Sequence, residues 1–420
     1  MAPSTPTGAV RRPTSVAQIA QTPPPSPGSP AVALAVLTAC VFLVGTGEWV
    51  MVGLLPELAA DLKQPIPAVG GLVTGYALVV TVAGPVVTVA MLRLPRRRAL
   101  MALLVVFAAG NAGAALAGGV GALAVARMVT ALTHSTAFAT ALVIAVSAAP
   151  AAHRGRAISV VAAGWNLATV LGTPLGTWVG GRYGWRTTFW GIAALSVLVL
   201  VAVAVLVRPV EPSQRPAPRA EVRALLGRGT ARVLAVTVLA QAGLFTLYTY
   251  ISPLLGDVSG FDADAVTLLL AAFGAGALLG NVLGGRLADR DPERALRATL
   301  LVLAAVLASF ALSSHARWTA ALTVLVLGLV SAALIPLLQE RALAAAPGAP
   351  TLITAVTASA FNLGTAGGSA LGGQALGSGS GLGGGGGGGM GLDDLAWLGG
   401  LVVAAAAVLA FKRPGTRSNP

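Results

Sequence analysis

The 420-residue chain has few charged side chains and a single cysteine. Charged residues make up 10% of it, whereas soluble domains carry about 25%, so the chain cannot cover a water-facing surface. One cysteine, Cys40, excludes an intramolecular disulfide. The residues ending at Cys40 resemble a lipoprotein processing box, but the apolar run continues to Leu55 instead of giving way to polar chain. We therefore interpret Cys40 as a small residue buried in lipid.

Patterns typical of enzymes are also missing. The chain has no HExxH motif, no phosphate loop and no Ser/His/Asp grouping, so we predict that it is not an enzyme and needs no cofactor. We expect no metal site, because His153 and His315 fall in loops far from His134. The glycine-rich stretch 377–391 lacks the Gly-Lys-Ser/Thr of a phosphate loop and is predicted to be a flexible outer loop.

Long apolar runs are abundant, and 56% of the residues are hydrophobic with a mean hydropathy of +0.83. Most runs reach the roughly 20 residues that a hydrocarbon core of about 30 Å requires. They predict an all-α membrane protein with twelve transmembrane helices in two halves of six. The runs lie at about 32–55, 68–92, 98–119, 121–149, 157–181, 187–207, 231–256, 264–288, 295–314, 318–339, 352–376 and 393–411.

Polar segments divide the chain into five parts. Residues 1–30 are rich in Pro, Ser and Thr and cannot bury a core, which predicts a disordered tail. A proline- and arginine-rich linker separates the halves and could hold a short surface helix near Glu221–Arg228. The predicted parts are a cytoplasmic tail 1–30, an N-terminal six-helix bundle 31–208, a cytoplasmic linker 209–230, a C-terminal six-helix bundle 231–411 and a cytoplasmic tail 412–420.

The basic residues predict the orientation in the membrane. The chain has 27 Lys and Arg and a formal charge of +13. If the N-terminus is cytoplasmic, twenty-two of them lie on the inner side, four on the outer side, and Arg127 within a helix. This asymmetry predicts that both termini are cytoplasmic. Because the positive charges lie in short loops between apolar runs, we do not expect nucleic acid as a partner.

A stretch rich in glycine interrupts one apolar run. Between Gly164 and Trp190 the chain carries Gly172, Gly176 and Gly180, with Pro174 among them. Glycine costs a helix about 1 kcal/mol and an interior proline about 3 kcal/mol. Neighbouring transmembrane helices can compensate for both, and glycine lets them approach closely. We therefore predict a closely packed, hinging helix inside a polytopic membrane protein.

An internal repeat supports the division into halves. Gly164–Thr169 aligns with Ala360–Thr365 at a shift of 196 positions, and the same shift places Gly84 on Gly280. One offset that serves separate regions indicates two copies of a six-helix unit. Helix 5 of one copy would then face helix 11 of the other.

These features resemble the major facilitator superfamily. Gly285-Arg286-Leu287-Ala288-Asp289-Arg290 resembles its glycine–aspartate–arginine signature, and Gly172-Thr173-Pro174-Leu175-Gly176 resembles its antiporter motif of helix 5. The residues from Gly45 to Glu57 resemble the opening of a narrower group, which contains chloramphenicol-resistance exporters, arabinose and sugar efflux permeases, and nucleoside exporters.

The resemblance implies a drug:proton antiporter of the inner cell membrane. Its cargo would be small amphipathic molecules, including antibiotics such as chloramphenicol, and its partners the cargo, protons and the lipid bilayer. We expect a monomer. Efflux of sugars or nucleosides is an alternative, although the cavity helices offer few polar groups for such cargo. A channel or a membrane enzyme would be a different class of function.

Three ionisable residues are candidates for coupling protons to cargo. Glu48 lies within helix 1, where an acidic side chain costs about 3 kcal/mol; it could titrate, or serve as a fixed hydrogen-bonding partner. Arg127 in helix 4 is either functional, as the resemblance implies, or extends to the outer surface. His134 follows two turns later on the same face. It could carry protons, or stay neutral and hydrogen-bonded.

The other candidates follow from the family motifs and the repeat. Gly172, Pro174 and Gly176 form the helix-5 motif, and Gly285, Asp289 and Arg290 form a predicted gating motif. A further set is polar and lies within cavity or repeat-matched helices, where its members could contact the cargo or a neighbouring helix. This set is Asn166, Asn362, Gln241 and Tyr248.

Overall fold

The computed structural model describes residues 29–91, 94–150, 153–209, 227–346, 350–377 and 390–411, which are helical and contain no strand. The predicted tails, most of the linker with its surface helix, and the glycine-rich loop lie outside these ranges. The helices are α1 (Pro30–Gly53), α2 (Leu55–Leu62), α3 (Ile66–Met91), α4 (Arg96–Ala115), α5 (Val120–Ala148), α6 (Arg154–Leu167), α7 (Thr173–Tyr183), α8 (Trp185–Leu206), α9 (Arg228–Tyr248), α10 (Ala263–Ala288), α11 (Pro292–Ser313), α12 (Arg317–Ala345), α13 (Pro350–Gly377) and α14 (Asp394–Phe411).

Eleven helical segments of the described chain are long and apolar enough to cross a membrane. One of them, Arg156–Tyr183, joins α6 and α7. The 28-residue α13 is also long enough to span, but its glycine, serine and threonine lower its hydropathy. With α13 the spans are the predicted twelve, and the all-α membrane class is confirmed.

The predicted shift of 196 residues reappears in the helix starts. Arg96 and Pro292 begin α4 and α11, and Arg154 and Pro350 begin α6 and α13, each pair 196 residues apart. The sequence did not predict α2 as a separate helix. Its counterpart after the same shift is a turn at Ile251–Pro253 followed by a π-helical turn at Leu254–Val258. The second half therefore repeats even this short element.

The glycine-rich helix 5 is interrupted rather than continuous. A π-helical turn, Ala168–Gly172, joins α6 to α7. Pro174, in the first turn of α7, has no N–H to donate to the carbonyl four residues earlier. A π-helical turn is a common way to accommodate such a break, and it is frequent at functional sites.

The glycine stripe of helix 5 faces α1. A Cβ added at Gly172 would lie 2.0 Å from Thr46 Oγ1, and one added at Gly176 would lie 2.5 Å from Val50 Cγ2. In the second half, helix 5 packs against α10, where Gly274 would bring a Cβ 2.6 Å from Val170 Cα. Our expectation that helix 5, which is α6 and α7, faces helix 11, which is α13, was wrong. Helix α13 packs against α3 and α9 instead.

A glycine ladder joins α10 to α12. Gly276, Gly280 and Gly284 are spaced four residues apart on one face of α10. A Cβ added at these positions would lie 2.2, 1.9 and 2.3 Å from carbonyl oxygens of α12, namely those of Leu325, Leu329 and Ala333. The two backbones are therefore in direct contact, which only glycine permits.

Most of the buried apolar side chains form one cluster, which includes Cys40. Cys40 is fully buried by protein, so the expectation that it is buried in lipid was wrong. The halves meet near α2, where Ser252 Oγ donates to Gly53 O over 3.3 Å. There a Cβ added at Gly70 would lie 2.4 Å from the Tyr250 hydroxyl. We call this end of the bundle the α2 end, and the opposite one the arginine-rich end.

An ion pair fastens α2 to the rest of the N-terminal half. Asp61 Oδ2 accepts hydrogen bonds from Arg186 Nη1 at 2.6 Å and from Trp185 Nε1 at 2.9 Å. Arg186 also donates to the carbonyl of Ala117. These two hydrogen bonds hold the pKa of Asp61 below its usual range, and the one from Arg186 has the larger effect.

We expect Asp61→Asn to lower the melting temperature at pH 7 by only about 1 °C, because exposed ion pairs contribute about 0–1 kcal/mol. Since the folded-state pKa of Asp61 is lowered, its contribution is present above the ordinary aspartate pKa of about 3.9 and is lost as pH falls further. Thermal unfolding of both proteins from pH 7 to pH 3 measures the difference. Asp264→Asn, at an exposed position of α10, is the control. A difference that grows below pH 4 would contradict this account.

Candidate functional site

The three predicted coupling residues lie together inside the bundle. Glu48 Oε2 of α1 is 3.8 Å from His134 Nε2 of α5, and both side chains are mostly buried. Arg127 lies two turns before His134 on α5, which places both side chains on one face. The structure thus gathers the predicted acid, base and guanidinium at one site, while their roles in coupling stay predictions.

Arg127 points into the protein and does not extend to the membrane surface. Only 2% of the residue is exposed, and Nη1 donates to the carbonyl oxygen of Gly47 over 2.5 Å. The guanidinium lies over the ring of Tyr76, 4.4 Å from its centroid, as a cation–π contact. The alternative of a surface-reaching arginine therefore does not describe this side chain.

The ring of His134 is held between Tyr76 and Trp165 and faces Glu48. Nδ1 is 3.0 Å from the hydroxyl of Tyr76, whereas Nε2 faces Glu48. Trp165 of α6 packs edge-on against the imidazole with a centroid distance of 5.0 Å. One nitrogen keeps its hydrogen bond while the other faces the carboxylate at 3.8 Å, so direct proton exchange requires the two groups to move closer or a water molecule to bridge them.

A small cavity adjoins this cluster and is shared by the two halves. Helices α1, α3, α5, α9 and α13 contribute to it, with Glu48, Trp49, Tyr76, Arg127, Phe245 and Thr365 among the lining residues. Its free volume is about 10 Å³, which is about the room that one water molecule needs. The cavity is therefore too small for a cargo molecule, which can enter only if the helices separate.

Aromatic side chains form one wall of the cavity region. Trp49 lies 5.6 Å from Phe245 and 6.1 Å from Tyr248 between ring centroids, and Tyr248 stacks on Phe273 at 4.3 Å. The sequence analysis predicted Tyr248 but missed Trp49. Its signal was available, because tryptophan is concentrated at membrane interfaces and Trp49 instead lies inside a span beside Glu48.

The predicted amides lie away from this cavity wall. Asn362 Nδ2 donates to the carbonyl of Ala358 within its own helix, over 3.0 Å. Its repeat partner Asn166 is half-buried on α6. Gln241 of α9 faces α13, since a Cβ added at Gly364 would lie 2.6 Å from Gln241 Cβ. None of the three is among the described residues that line the cavity.

The predicted gating motif lies at the arginine-rich end of α10. Asp289 and Arg290 are exposed, and a Cβ added at Gly285 would meet nothing within 4 Å. The carboxylate that caps the next helix belongs to Asp291, whose Oδ1 accepts from the backbone N–H of Arg294 at 3.0 Å. Aspartate followed by proline at a helix start is a sequence signal for this cap that the analysis missed.

The chemistry available at the site is proton exchange, hydrogen bonding and aromatic contact. Across the ranges that the structure describes, no three His, Cys, Asp or Glu side chains come close enough to hold a metal ion. Membrane-spanning helices around a charged cavity between two repeated halves are typical of membrane transporters.

A comparison with models of protein families identifies the family of transporters. The family model of the Major Facilitator Superfamily matches residues 37–372. This chain belongs to the major facilitator superfamily, and it is a multi-pass membrane transporter rather than an enzyme.

Two named relatives align with most of the chain. This chain is 34% identical over 379 residues to the inner membrane transport protein YdhP of Escherichia coli (strain K12). The alignment spans 89% of this chain and 95% of YdhP. This chain is 32% identical over 383 residues to the chloramphenicol resistance protein of Streptomyces lividans, spanning 90% and 95%. The likeness to the chloramphenicol-resistance and efflux group is thereby confirmed.

A solved structure shows the same fold. A bacterial homologue of the human lysosomal transporter Spinster, crystallised in an inward-facing and occupied conformation, superposes with a TM-score of 0.71. The alignment covers 92% of this chain and 97% of that one at 16% sequence identity. At this identity the likeness carries the fold and no further property.

Proposed function

We propose that this transporter exports small amphipathic molecules in exchange for protons. The observation that carries the proposal is the buried contact between Glu48 and His134 at a cavity shared by both halves. An acidic side chain inside a span costs about 3 kcal/mol, which a purely structural role would not explain. The relative named for chloramphenicol resistance makes chloramphenicol the first cargo to test.

The site suggests how proton and cargo would alternate. When Glu48 is ionised, its charge is balanced by Arg127 on the same cavity. When Glu48 takes up a proton, the negative charge disappears and Arg127 is left unbalanced. The two states present different surfaces to a cargo molecule, so proton binding and cargo binding influence one another. Rocking of the halves would then expose each state to one side of the membrane.

The basic residues and the contacts between the halves support an arrangement that is closed towards the outside of the cell. We place both termini in the cytoplasm, because the inner side would hold twenty-two of the 27 Lys and Arg. The α2 end is then extracellular. Contacts such as Ser252 to Gly53 close the protein at that end. Residues 31–208 and 231–411 would be the two moving bundles, in a monomer of the inner cell membrane.

Everted membrane vesicles test the proposed exchange. Vesicles that contain the transporter are acidified inside by respiration, and chloramphenicol is added while a pH-sensitive dye reports the gradient. We expect the added compound to dissipate the gradient in a transporter-dependent way. Flux of the compound that does not depend on the gradient would instead indicate a channel.

Variants of two nearby aspartates can distinguish a gating role from a helix-capping role. We expect Asp289→Asn to reduce transport about tenfold or more with near-normal stability, because its exposed carboxylate would be needed only in another conformation. Asp291→Ala removes the N-cap of α11 and should cost about 0.5–2 kcal/mol of stability. Transport by reconstituted protein and thermal unfolding distinguish the two effects. Wild-type turnover in Asp289→Asn would refute a gating role.

A further inference from the structure

Three polar atoms at the cavity have no hydrogen-bond partner within the part of the chain that the structure describes. They are Trp49 Nε1, Arg127 Nε and Glu48 Oε2, and each atom is buried. Buried polar atoms are normally paired, and leaving one unpaired is unfavourable. Arg127 in particular is almost fully buried beside the cavity. Two unpaired donors at one cavity indicate a ligand that brings its own acceptors.

The apolar part of the site is built from flat rings. Trp49 of the first half meets Phe245 and Tyr248 of the second half at centroid distances near 6 Å. These rings come from α1 and α9, which would separate when the cavity opens. An aromatic ring inserted between them would keep edge-to-face or stacked contacts with both helices. A polyhydroxylated molecule would lose hydrogen bonds to water against these surfaces without replacing them.

Charge balance disfavours an ionic cargo. Glu48 and Arg127 are the only charged side chains among the described lining residues, and they oppose one another. While Glu48 is ionised, a permanent cation that approaches Glu48 also approaches Arg127, and an anion that approaches Arg127 also approaches Glu48. In a cavity shielded from water such like-charge approaches are strongly unfavourable.

We propose that the cargo is an uncharged aromatic compound whose ring lies against Trp49 and Phe245 and whose oxygen accepts a hydrogen bond from Trp49 Nε1. This inference rests on the proposed function only in taking the cavity as the cargo site. It assigns Trp49 as the residue that selects for an acceptor on the ring compound. Arg127 Nε supplies a second donor for a further acceptor oxygen.

Equilibrium binding to the full-length protein in lipid nanodiscs tests the assignment without a proton gradient. The probe is radiolabelled chloramphenicol, a neutral nitroaromatic amide. Trp49→Phe keeps an aromatic ring and removes the N–H, so we expect about tenfold weaker binding. Trp178→Phe makes the same change at an exposed position of α7 and should bind like the wild type. Thermal unfolding shows whether each variant is folded.

Competition on the wild-type protein gives a second measurement that needs no variant. Benzoate, tetraphenylphosphonium and arabinose represent an aromatic anion, an aromatic cation and a neutral polyol. We expect none of them to displace chloramphenicol at a hundredfold excess. Displacement by any one, unchanged binding by Trp49→Phe, or no binding of chloramphenicol to the wild type would overturn the inference.

The outcomes also separate this inference from the proposed proton exchange. Selective chloramphenicol binding without dissipation of a pH gradient supports the aromatic cargo and contradicts antiport. Proton-coupled transport of tetraphenylphosphonium or arabinose supports antiport and contradicts the aromatic, uncharged cargo.

Discussion

Replacing Glu48 by glutamine is expected to abolish proton-coupled export. Glutamine has nearly the same shape as glutamate and can occupy the same position beside His134 Nε2, but it cannot release or take up a proton. Positioned proton-transfer groups typically contribute on the order of 100-fold or more to a rate, so we expect a loss of at least about 100-fold. The change removes one charge at a site where Arg127 is the only other charged group among the described lining residues.

The measurement compares two kinds of flux in proteoliposomes. Uptake driven by an imposed pH gradient should disappear in Glu48→Gln, whereas exchange of labelled for unlabelled chloramphenicol without a gradient should persist. Asp264→Asn, the same change in charge at an exposed position on α10, should behave like the wild type. If Glu48→Gln kept gradient-driven transport, Glu48 would be a fixed hydrogen-bonding partner rather than a proton site.

Gly280→Ala is expected to destabilise the protein by about 2–3 kcal/mol. The added methyl group would lie 1.9 Å from the carbonyl oxygen and 2.7 Å from the carbonyl carbon of Leu329. Because these are backbone atoms of α12, neither can rotate away, and α10 and α12 must move apart. Overpacking of a dense interior typically costs about 1–3 kcal/mol. Separation would also open the contacts of Gly276 and Gly284 on either side.

Helix propensity predicts the opposite sign, which makes the test decisive. Alanine is favoured over glycine in a helix by about 1 kcal/mol, so a position free of neighbours should tolerate or gain from the change. Gly367 of α13 has nothing within 4 Å of an added Cβ, and Gly367→Ala is the matched control. Thermal unfolding of both variants in detergent should show a decrease only for Gly280→Ala. Equal melting temperatures would mean that the α10–α12 contact adjusts freely.

Much of the architecture follows from hydropathy and repetition. A hydrocarbon environment requires every backbone polar group to be satisfied within its own helix, so runs of about 20 apolar residues determine the spans directly. The shift of 196 residues, visible from Gly84 and Gly280, recurs in the starts of α4 and α11 and of α6 and α13. The separate helix α2 was missed, because its eight residues are too few to register against the neighbouring span.

The candidate site was predictable only in part. An acidic residue in a span, such as Glu48, is unfavourable enough to indicate a function by itself. The i, i+7 spacing of Arg127 and His134 placed both on one helix face. Neither observation could give the partners of these residues in other helices. Tyr76, Trp49 and Phe245 were therefore missed, since their proximity depends on how α3 and α9 pack.

The sequence alone thus determined that this chain spans a membrane with repeated helices and carries a few charged groups inside them. These properties follow from the free energy of transferring each side chain from water to lipid and from the spacing of residues along the chain. The tertiary structure decided the rest: that Arg127 turns inward onto Gly47 and Tyr76, that helix 5 packs on α1 and α10, and that the cavity joins both halves. Such contacts between distant residues depend on the relative positions and rotations of helices. Hydropathy leaves both unspecified, because lipid offers each apolar face the same environment.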